Sequence, residues 1–588
     1  MKTVMKKYFP ILVVLLIVVG TGVSCRQDLL DQVPTVEVSA DVFWQTVDDA
    51  ESAMYSVYTA TRDLFHKHYA WDGASDIMNA NVRNPYSTDY SPSAGAGSTF
   101  NNHWNNAYTV VNRANFTLEG IEKMLEAANE NTKAELNRIK GDVLFLRALA
   151  YFRLTDLWGA VPYYTNVLDG NKEAYTLSNT SRSKIVEAIL QDLDIAKTLG
   201  MPVIVADAER GRVSLAAIYG FSGKIRLYQA CWAKLEGKTD EAMTYYRAAA
   251  ADFAEVMTPV YGRNLYMNGE PGEPEKPYYY DLFDGLHEYN PEVIFAIANA
   301  GPGLGLGDYY VYDFGSRNTG NGGTNVLPNI RLMNRYQQLE TGDYAPPLIV
   351  SAAADKATIP NGACNPGSYA GRDYRMYATC LWDGQTMLEM SADGLTAGPR
   401  MLIFQHRNTG DGYVFAQAPV ISSGYMFRKY IRQYPLGSRE NGPQDTYLMR
   451  LPDVMLMYCE AVNEYNNGPT GELFDLVDRI RHRGALPPLD RAKFSTKETF
   501  FKAIEQERIV ELVAEGHRFF DIRRWGMVEK IWPAPDGQRL TSTWGESDWY
   551  RDEFRNATDR DYQRFYLFKI PDSEIQMNPN LKQNDCWL

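Results

Sequence analysis

Carboxylates at helical spacing near the C-terminus are the residues of this chain best placed to do chemistry. Glu507, Glu511 and Glu515 recur every four residues, so on a single helix the three like charges would line one edge and repel one another. Carboxylates grouped in this way can act as acid/base catalysts. Arginines lie within three residues of them, however, and no cysteine nucleophile accompanies them, so we interpret the motif as a structural ion-pair lattice. Its charged members are Glu507, Arg508, Glu511, Glu515, Arg518, Asp521 and Arg524.

A glycine-rich stretch in the middle of the chain resembles a nucleotide-binding loop without meeting its requirements. Residues 301–307 contain four glycines, but a Walker loop ends in Gly-Lys-Ser/Thr and opens a helix. Asp308, Tyr309 and Tyr310 follow here instead. We therefore interpret the stretch as a flexible loop that presents tyrosines.

The sequence indicates no cofactor. His66 and His68 are the only close pair of histidines and lack a third ligand, so we predict no metal site. Calcium, structural or bridging a ligand, is not indicated either and stays an open question. Glycoside hydrolysis needs only two carboxylates about 5–9.5 Å apart, which an acidic chain can supply. A glycoside hydrolase that uses an Asp/Glu pair is therefore the alternative function.

Helical periodicity accounts for most of the chain outside its middle. Apolar residues recur at three- and four-residue intervals in eight segments. In one segment Ala242, Tyr246 and Ala249 follow the second helix of a tetratricopeptide repeat, where small residues admit the neighbouring helix. We predict a mainly α fold with four divergent helix-turn-helix units of this kind. The helical segments are 34–63, 104–128, 138–158, 183–199, 211–233, 239–257, 448–465 and 473–482.

The character of the sequence changes between residues 258 and 446. Gly and Pro are frequent there and strand-like runs are short, which predicts an irregular, loop-rich lobe with a few short strands. The first three helix-turn-helix units fall in residues 25–257, and the fourth falls in residues 447–588. The predicted strands are Glu292–Ile297, Met401–Phe404, Tyr413–Phe415 and Tyr425–Ile431.

The N-terminus has the pattern of a secretory signal. Lysines precede an apolar run from Phe9 to Val19, which is too short to span a bilayer, and small residues follow. We predict that residues 1–24 are a signal peptide and that Cys25 is acylated as the first residue of a lipoprotein. Gly22 stands where leucine is usual in a lipobox. An ordinary signal peptide with an incidental cysteine is the alternative.

Two long motifs near the C-terminus resemble the signature of the SusD/RagB family, the surface glycan-binding lipoproteins of Bacteroidetes outer membranes. The first is the charged motif at residues 507–526, and the second, residues 570–584, begins Ile-Pro and contains Asn-Pro-Asn-Leu. The segments at 44–53 and 145–162 are also similar to the family. The resemblance covers nearly the whole chain.

This resemblance implies a SusD-like fold and a non-catalytic protein that captures an oligo- or polysaccharide. It further implies that the ligand is handed to a SusC-type TonB-dependent transporter. The protein would be held at the cell outer membrane by its lipid anchor, facing the outside. The helical repeats would face the transporter, and the ligand would lie on the opposite, irregular face. Which glycan is bound stays open, as does a peptide ligand.

Composition narrows the range of partners. The formal net charge is −14, which argues against nucleic acid and against anionic lipid headgroups, since both require clustered Lys and Arg. Five cysteines besides Cys25 are scattered without metal-site spacing, so a disulfide framework is not expected. A single pairing of Cys364 with Cys380 stays open.

Aromatic side chains are the expected glycan-binding residues. The chain has 39 tyrosines, and a tyrosine ring can pack on the C–H face of a pyranose, although helical repeats bury such rings too. The resemblance is weakest at 69–102 and 300–420, where a family of varied specificities would vary. We therefore predict that rings there are displayed outward, with polar side chains nearby. The predicted ligand-binding residues are Trp71, Asp76, Arg83, Asn84, Tyr86, Tyr90, Tyr309, Tyr310 and Trp382.

Overall fold

The structure is a computed structural model. It describes residues 43–80, 98–301, 305–315, 323, 325–349, 358–363, 365–382, 385–390, 396–403, 413–414, 425–432, 434, 438–531 and 563–588. The predicted signal peptide and Cys25 lie outside these residues. Arg83, Asn84, Tyr86, Tyr90 and Cys364 also lie outside them.

Long helices form the N-terminal part of the protein. A capping box starts the first of them, because the Thr46 side chain accepts from the Asp49 N–H while the Asp49 carboxylate accepts from the Thr46 N–H. The helix predicted from residue 138 begins earlier, at Glu130, where the Asn129 side chain caps it. The long helices of this part are α1 (Val47–Leu64), α2 (Ser98–Ala127), α3 (Glu130–Trp158), α5 (Arg182–Lys197), α6 (Leu215–Leu235) and α7 (Thr239–Val256), and the short α4 (Gly170–Ala174) lies between α3 and α5.

Small residues let consecutive helices approach closely. A Cβ atom on Gly223 of α6 would lie 2.6 Å from the ring of Phe253 on α7, so glycine makes room for that ring. Ala242, Tyr246 and Ala249 of α7 are all buried, as the repeat pattern requires. The mainly helical fold is thus confirmed, whereas the count of four repeat units stays a prediction.

The middle of the chain forms the predicted loop-rich lobe. Its short helices are α8 (Tyr278–Asp281), α9 (Tyr310–Phe314), α10 (Ile330–Met333) and α11 (Tyr374–Thr379). In the described residues no sheet has more than three strands. Three short strands precede the lobe: β1 (Met78–Ala80), β2 (Val161–Pro162) and β3 (Asn179–Thr180). The later strands are β4 (Gly272–Glu273), β5 (Lys276–Pro277), β6 (Val293–Ile297), β7 (Val326–Pro328), β8 (Cys380–Leu381), β9 (Thr386–Met390), β10 (Thr396–Ile403), β11 (Tyr413–Val414), β12 (Met426–Phe427) and β13 (Thr446–Arg450).

Pairing of distant strands joins the lobe to the rest of the protein. β6 pairs antiparallel with β13, and β13 runs directly into the first C-terminal helix. β1 pairs antiparallel with β7, so Ala80 lies opposite Val326. One large cluster of buried apolar side chains extends from α1 to Ile570 and includes residues of the lobe.

The C-terminal part returns to helices but breaks the predicted charged helix in two. Residues 513–517 form a turn in which Ala514 and Gly516 have φ values of 61° and 80°. A Cβ atom on Gly516 would lie 2.4 Å from the carbonyl oxygen of His68, so the close approach of the two chains requires glycine. The helices are α12 (Leu451–Tyr465), α13 (Gly471–His482), α14 (Lys497–Leu512), α15 (Arg518–Arg524), α16 (Val528–Ile531), α17 (Gln563–Tyr566) and α18 (Asp572–Met577).

Two further sequence expectations concern membranes and disulfides. Among the described residues, none of the helices combines the length and the apolar character that crossing a bilayer requires. Cys380 is buried with a free thiol, and its proposed partner Cys364 lies outside the described residues.

Candidate functional site

The charged C-terminal motif is the centre of a buried ion-pair network. Glu511 accepts hydrogen bonds from Arg483, Arg450 and Arg375 at 2.7, 3.1 and 3.2 Å. Glu292 on the edge of β6 pairs with two of the same arginines, Arg450 and Arg483. The side chains of these five residues are at most 2% exposed, so both carboxylates pair with arginines inside the protein, away from solvent.

Arg508 and Arg518 of the motif each pair with at least one carboxylate that is distant in sequence. Arg508 binds Asp453 at 2.8 Å and Asp521 at 2.7 Å, whereas Arg518 binds Asp76 at 2.8 Å. From the sequence, arginines within three residues would neutralise the glutamates, and Glu507, Glu511 and Glu515 would share one helix. Both expectations are corrected: Arg508 and Arg518 pair with other carboxylates, and the turn at 513–517 takes Glu515 off the helix.

Electrostatics favours the ionised form of two carboxylates in this network, Glu515 and Asp453. Burial alone would raise the pKa of Glu515, but Arg450 and Lys429 lower it to about 2. Burial likewise opposes ionisation of Asp453, yet Lys224, His517 and Arg508 hold its pKa below the usual range. His517, which the sequence reasoning overlooked inside the motif, is itself buried. These ion pairs are enclosed in the protein, which is the arrangement of a structural network.

Trp71 does not display its ring, which corrects the sequence prediction. It lies in a 3₁₀ helix at His68–Ala74 whose residues are all buried, and it is 2% exposed. Its ring stacks on Phe519 of α15 with centroids 5.2 Å apart. A ring covered in this way packs the core and has no face left for a sugar.

Three further predicted residues are also interior, for similar reasons. Tyr310 stacks on Tyr430 with ring centroids 3.9 Å apart, and Trp382 stacks on Tyr369 at 4.7 Å. Asp76 is 4% exposed and engaged by Arg518. These side chains stabilise the fold, so their assignment as ligand contacts is corrected.

Among the described residues 305–315, Tyr309 and Tyr312 are the aromatic residues that reach the surface. On α9 the side chains of Tyr310, Asp313 and Phe314 are buried, whereas Tyr309 before the helix and Tyr312 within it are partly exposed. The two rings meet edge to face, with centroids 6.4 Å apart. The three-residue spacing of Tyr309 and Tyr312 was the sequence signal for a shared face.

Cationic and imidazole groups surround this tyrosine pair. The ammonium of Lys67 lies 4.6 Å from the Tyr309 ring centroid, and the Arg439 guanidinium lies 5.0 Å from that of Tyr312. His66 meets the Tyr309 ring edge to face at 5.3 Å. Burial, Lys67 and Arg62 lower the pKa of His66, so its imidazole is neutral at pH 7. We call His66, Lys67, Tyr309, Tyr312 and Arg439 the tyrosine edge.

Asp313 holds the tyrosine edge in place from below. It is 3% exposed and accepts from Lys67 Nζ at 2.9 Å, from Tyr69 Oη at 2.5 Å and from Asn325 Nδ2 at 2.6 Å. Asn325 immediately precedes β7, whose first residue pairs with Ala80 at the end of β1. The Asn325 contact therefore connects α9 to the start of β7.

A carboxyl pair outside the lattice bears on the alternative hydrolytic function. Glu288 accepts a hydrogen bond from the Asp445 N–H, and both residues line a cavity of about 330 Å³. Burial and the neighbouring Asp445 raise the pKa of Glu288 to about 9. Burial raises the pKa of Asp445 to about 7. Neither group is a strongly ionised nucleophile at neutral pH, as a retaining glycosidase would need.

One group of side chains in the described residues has the spacing of metal ligands. Ligand atoms of Asp281, Asp284 and His287 lie within 4.8 Å of one another. His287 Nδ1 already contacts Asp284 at 3.1 Å, and calcium takes six to eight oxygen ligands. The group by itself does not make a calcium site.

Comparison with known protein families shows which family has this sequence pattern. A sequence model described as the SusD family matches residues 291–587, which is half of the chain. The chain belongs to the SusD family. A second model, described as "Starch-binding associating with outer membrane", matches residues 30–227 of this SusD-family protein.

Relatives and solved structures agree with the family across nearly the whole chain. SusD-like protein P25 of Formosa agariphila is 24% identical over 96% of both chains. A SusD-like protein of Bacteroides fragilis has a similar structure, with a TM-score of 0.70 at 21% identity over 93% of this chain and 98% of that one. A structure named as a laminarin-binding SusD-like protein has a TM-score of 0.60 at 21% identity, covering 92% of this chain and 99% of the other. The predicted family and fold are confirmed.

Proposed function

We propose that this SusD-family protein is a non-catalytic, surface-exposed glycan-binding protein whose ligand binds at the tyrosine edge. The family description names starch binding, and two similar structures are named as carbohydrate-binding and laminarin-binding. The observation that carries the proposal is the partly exposed pair Tyr309 and Tyr312, which α9 presents beside cationic hydrogen-bond donors.

The chemistry of the edge suits a sugar better than a buried apolar ligand. Tyrosine rings pack on the C–H faces of pyranoses, and their hydroxyls, together with Lys67 and Arg439, can hydrogen-bond to sugar hydroxyls. A shallow site of this type should bind with micromolar to millimolar affinity, about −4 to −8 kcal/mol, which allows the ligand to be released.

Affinity electrophoresis in gels that contain a panel of polysaccharides tests this proposal. The mature chain carrying Cys25→Ser should be retarded by one or more of them. Replacing Tyr309 and Tyr312 together by alanine should abolish the retardation without lowering Tm, because both rings lie at the surface.

Tyr55→Ala is the control, since Tyr55 is a surface tyrosine of α1 that lies outside the tyrosine edge and is 51% exposed. It should migrate as the unmodified chain does. Unchanged retardation of the Tyr309/Tyr312 double variant would show that the ligand lies elsewhere. No retardation by any polysaccharide would remove the glycan-binding function itself.

Anchoring and transport are further parts of the proposal. We infer that Cys25 is acylated, that the protein faces the outside of the outer membrane, and that it hands its ligand to a SusC-type TonB-dependent transporter. Family membership supports each part. Metabolic labelling with a palmitate analogue should mark the intact protein and not Cys25→Ser. A transporter of this type should co-purify with the labelled protein from detergent-solubilised outer membranes.

Hydrolysis is the second candidate, and the carboxyl pair in the 330 Å³ cavity is the observation that favours it. A hydrolase would release reducing ends from at least one polysaccharide, and Glu288→Gln would abolish the release. We expect no release of reducing ends from any polysaccharide that retards the protein.

A further inference from the structure

A cavity of about 330 Å³ lies between the N-terminal helices and the lobe, separate from the tyrosine edge. It reaches β6 at Val293–Ala296, and loops before α6 and after α7 form its walls. None of the five tyrosine-edge residues lines it. Its volume falls within the range of small-ligand sites, so it is large enough for a sugar residue.

Arg263 in the wall of this cavity is a cation without a counter-charge. Its Nη1 atom donates to the carbonyl oxygen of Val293 at 2.6 Å, and its buried Nε atom has no partner. No carboxylate pairs with it among the residues that the structure describes. Burial lowers its pKa, and no nearby acid offsets that effect. A half-buried guanidinium in this state is costly unless an anion reaches it.

The acidic residues of the cavity do not supply that anion. Glu288 and Asp445 interact with each other, and the raised pKa values of both leave the pair at least partly protonated at pH 7. A protonated carboxyl is a hydrogen-bond donor as well as an acceptor. Arg210 is already paired with Asp207 at 3.2 Å. The cavity therefore offers one uncompensated cation beside groups that can bind hydroxyls.

The mouth of the cavity carries exposed apolar side chains. Tyr289 is 51% exposed, and the Arg210 guanidinium lies 4.0 Å from its ring centroid. Ile204, also in the lining, is 67% exposed, and Val260 beside the lining residue Tyr261 is 60% exposed. An exposed tyrosine above a polar cavity can hold the C–H face of a sugar ring while polar groups take its substituents.

We infer that this cavity binds the anionic substituent of an acidic sugar, with Arg263 holding the anion, Tyr289 contacting the ring and Glu288 binding a hydroxyl. The inference rests on the proposed glycan-binding function and gives the class of glycan: one that contains uronate or sulfated residues. Carboxylate and sulfate share the chemistry that Arg263 recognises, since a guanidinium can donate two hydrogen bonds to either.

Saturation-transfer NMR titrations at low ionic strength test the inference with three probes. Methyl β-D-glucuronide and glucose 6-sulfate carry the two anions, and methyl β-D-glucoside is the uncharged match. We expect at least one anionic probe to bind ten-fold or more tightly than the glucoside. Whichever anion binds more tightly identifies the substituent, and either result supports the inference.

Variants of the mature Cys25→Ser chain locate the binding. Arg263→Met should lower the affinity for the anionic probe ten-fold or more. Arg263→Lys keeps the charge and a donor for Val293, so it should retain part of that affinity. Arg247→Met removes an exposed arginine of α7 outside the cavity and should change nothing. Equal binding of all three probes, or an unchanged affinity in Arg263→Met at unchanged Tm, would overturn the inference.

The outcome can be separated from failure of the proposed function. In one outcome the Tyr309/Tyr312 double variant loses polysaccharide retardation, Arg263→Met keeps it, and no anionic probe is preferred. That outcome removes the cavity site and leaves the tyrosine edge as the glycan-binding site. No retardation by any polysaccharide removes the proposed function.

Discussion

Neutralising Glu511 should be among the most damaging single changes in this protein. Its carboxylate accepts from Arg375, Arg450 and Arg483 in the middle of a network that is closed to solvent. Among the residues that the structure describes, the connected network contains five cations and five carboxylates. They are Arg375, Lys429, Arg450, Arg481 and Arg483 with Glu292, Asp373, Glu507, Glu511 and Glu515.

Glu511→Gln keeps the shape of the side chain but leaves five buried cations facing four carboxylates. The new amide group would also point donors at arginine donors. Removing one partner of a buried ion pair costs about 3–5 kcal/mol, because the remaining charge is desolvated without compensation. Domains have a free energy of unfolding of about 5–15 kcal/mol, so this loss is a large fraction of the total.

Urea unfolding, followed by far-UV circular dichroism and tryptophan fluorescence, measures the effect. Urea is uncharged and does not screen the ion pairs as guanidinium would. Asp475→Asn is the matched control, because Asp475 pairs with Arg491 at the surface and is 75% exposed, so the unfolding curve should barely move.

A double variant separates charge from packing. Glu511→Met with Arg483→Met removes one charge of each sign, and we expect it to recover about 1 kcal/mol or more of the stability lost in Glu511→Met alone. A loss smaller than about 1 kcal/mol in Glu511→Gln would refute the reasoning, because it would mean that the network tolerates an uncompensated cation.

Four further predictions follow from the structure. Trp71→Ala should lower the free energy of unfolding by about 3–5 kcal/mol and leave glycan retardation of the folded protein unchanged, since the ring is core. Gly516→Ala should cost about 1–3 kcal/mol in urea unfolding, because φ is 80° and the carbonyl of His68 is in the way. Asp313→Ala should weaken polysaccharide retardation and should also lower Tm. Retardation of unchanged strength would contradict the role of Asp313 in positioning the tyrosine edge. Burial lowers the pKa of His517 to about 4 from 6.5, so the unfolded chain binds the proton more readily. The free energy of unfolding should therefore keep its full value above pH 6.5 and fall by up to about 3 kcal/mol towards pH 4. His517→Asn should flatten that part of the pH profile.

The helices could be predicted from sequence because their signals are local. The predicted pattern of Ala242, Tyr246 and Ala249 on α7 involves residues within two turns of one another, whereas the Thr46–Asp49 capping box was not predicted. The break at 513–517 was missed, since an apparent four-residue repeat of glutamates continues across it. Gly516 was the available signal, because glycine is favoured where φ is positive.

The ligand site was predicted less well, because composition cannot tell an exposed ring from a buried one. Trp71 and Tyr309 lie in similar polar and aromatic surroundings in the sequence, yet one is stacked on Phe519 and the other is partly exposed. Helical spacing puts Tyr309 and Tyr312 on one face and Tyr310 on another. The sequence does not say which of these faces points into the protein, so the exposed tyrosines are identified only from the packing of α9.

The family, the helical architecture and the dense charged motif could be recognised from the amino-acid sequence, because they depend on ordered local patterns of residue type. Which arginine neutralises which carboxylate, and which tyrosines reach solvent, became known from the fold. Arg518 binds Asp76 and Trp71 contacts Phe519, so both answers depend on packing between the two ends of the chain. Burial and ion pairing are set by the three-dimensional neighbours of a side chain, and one-dimensional spacing does not contain them.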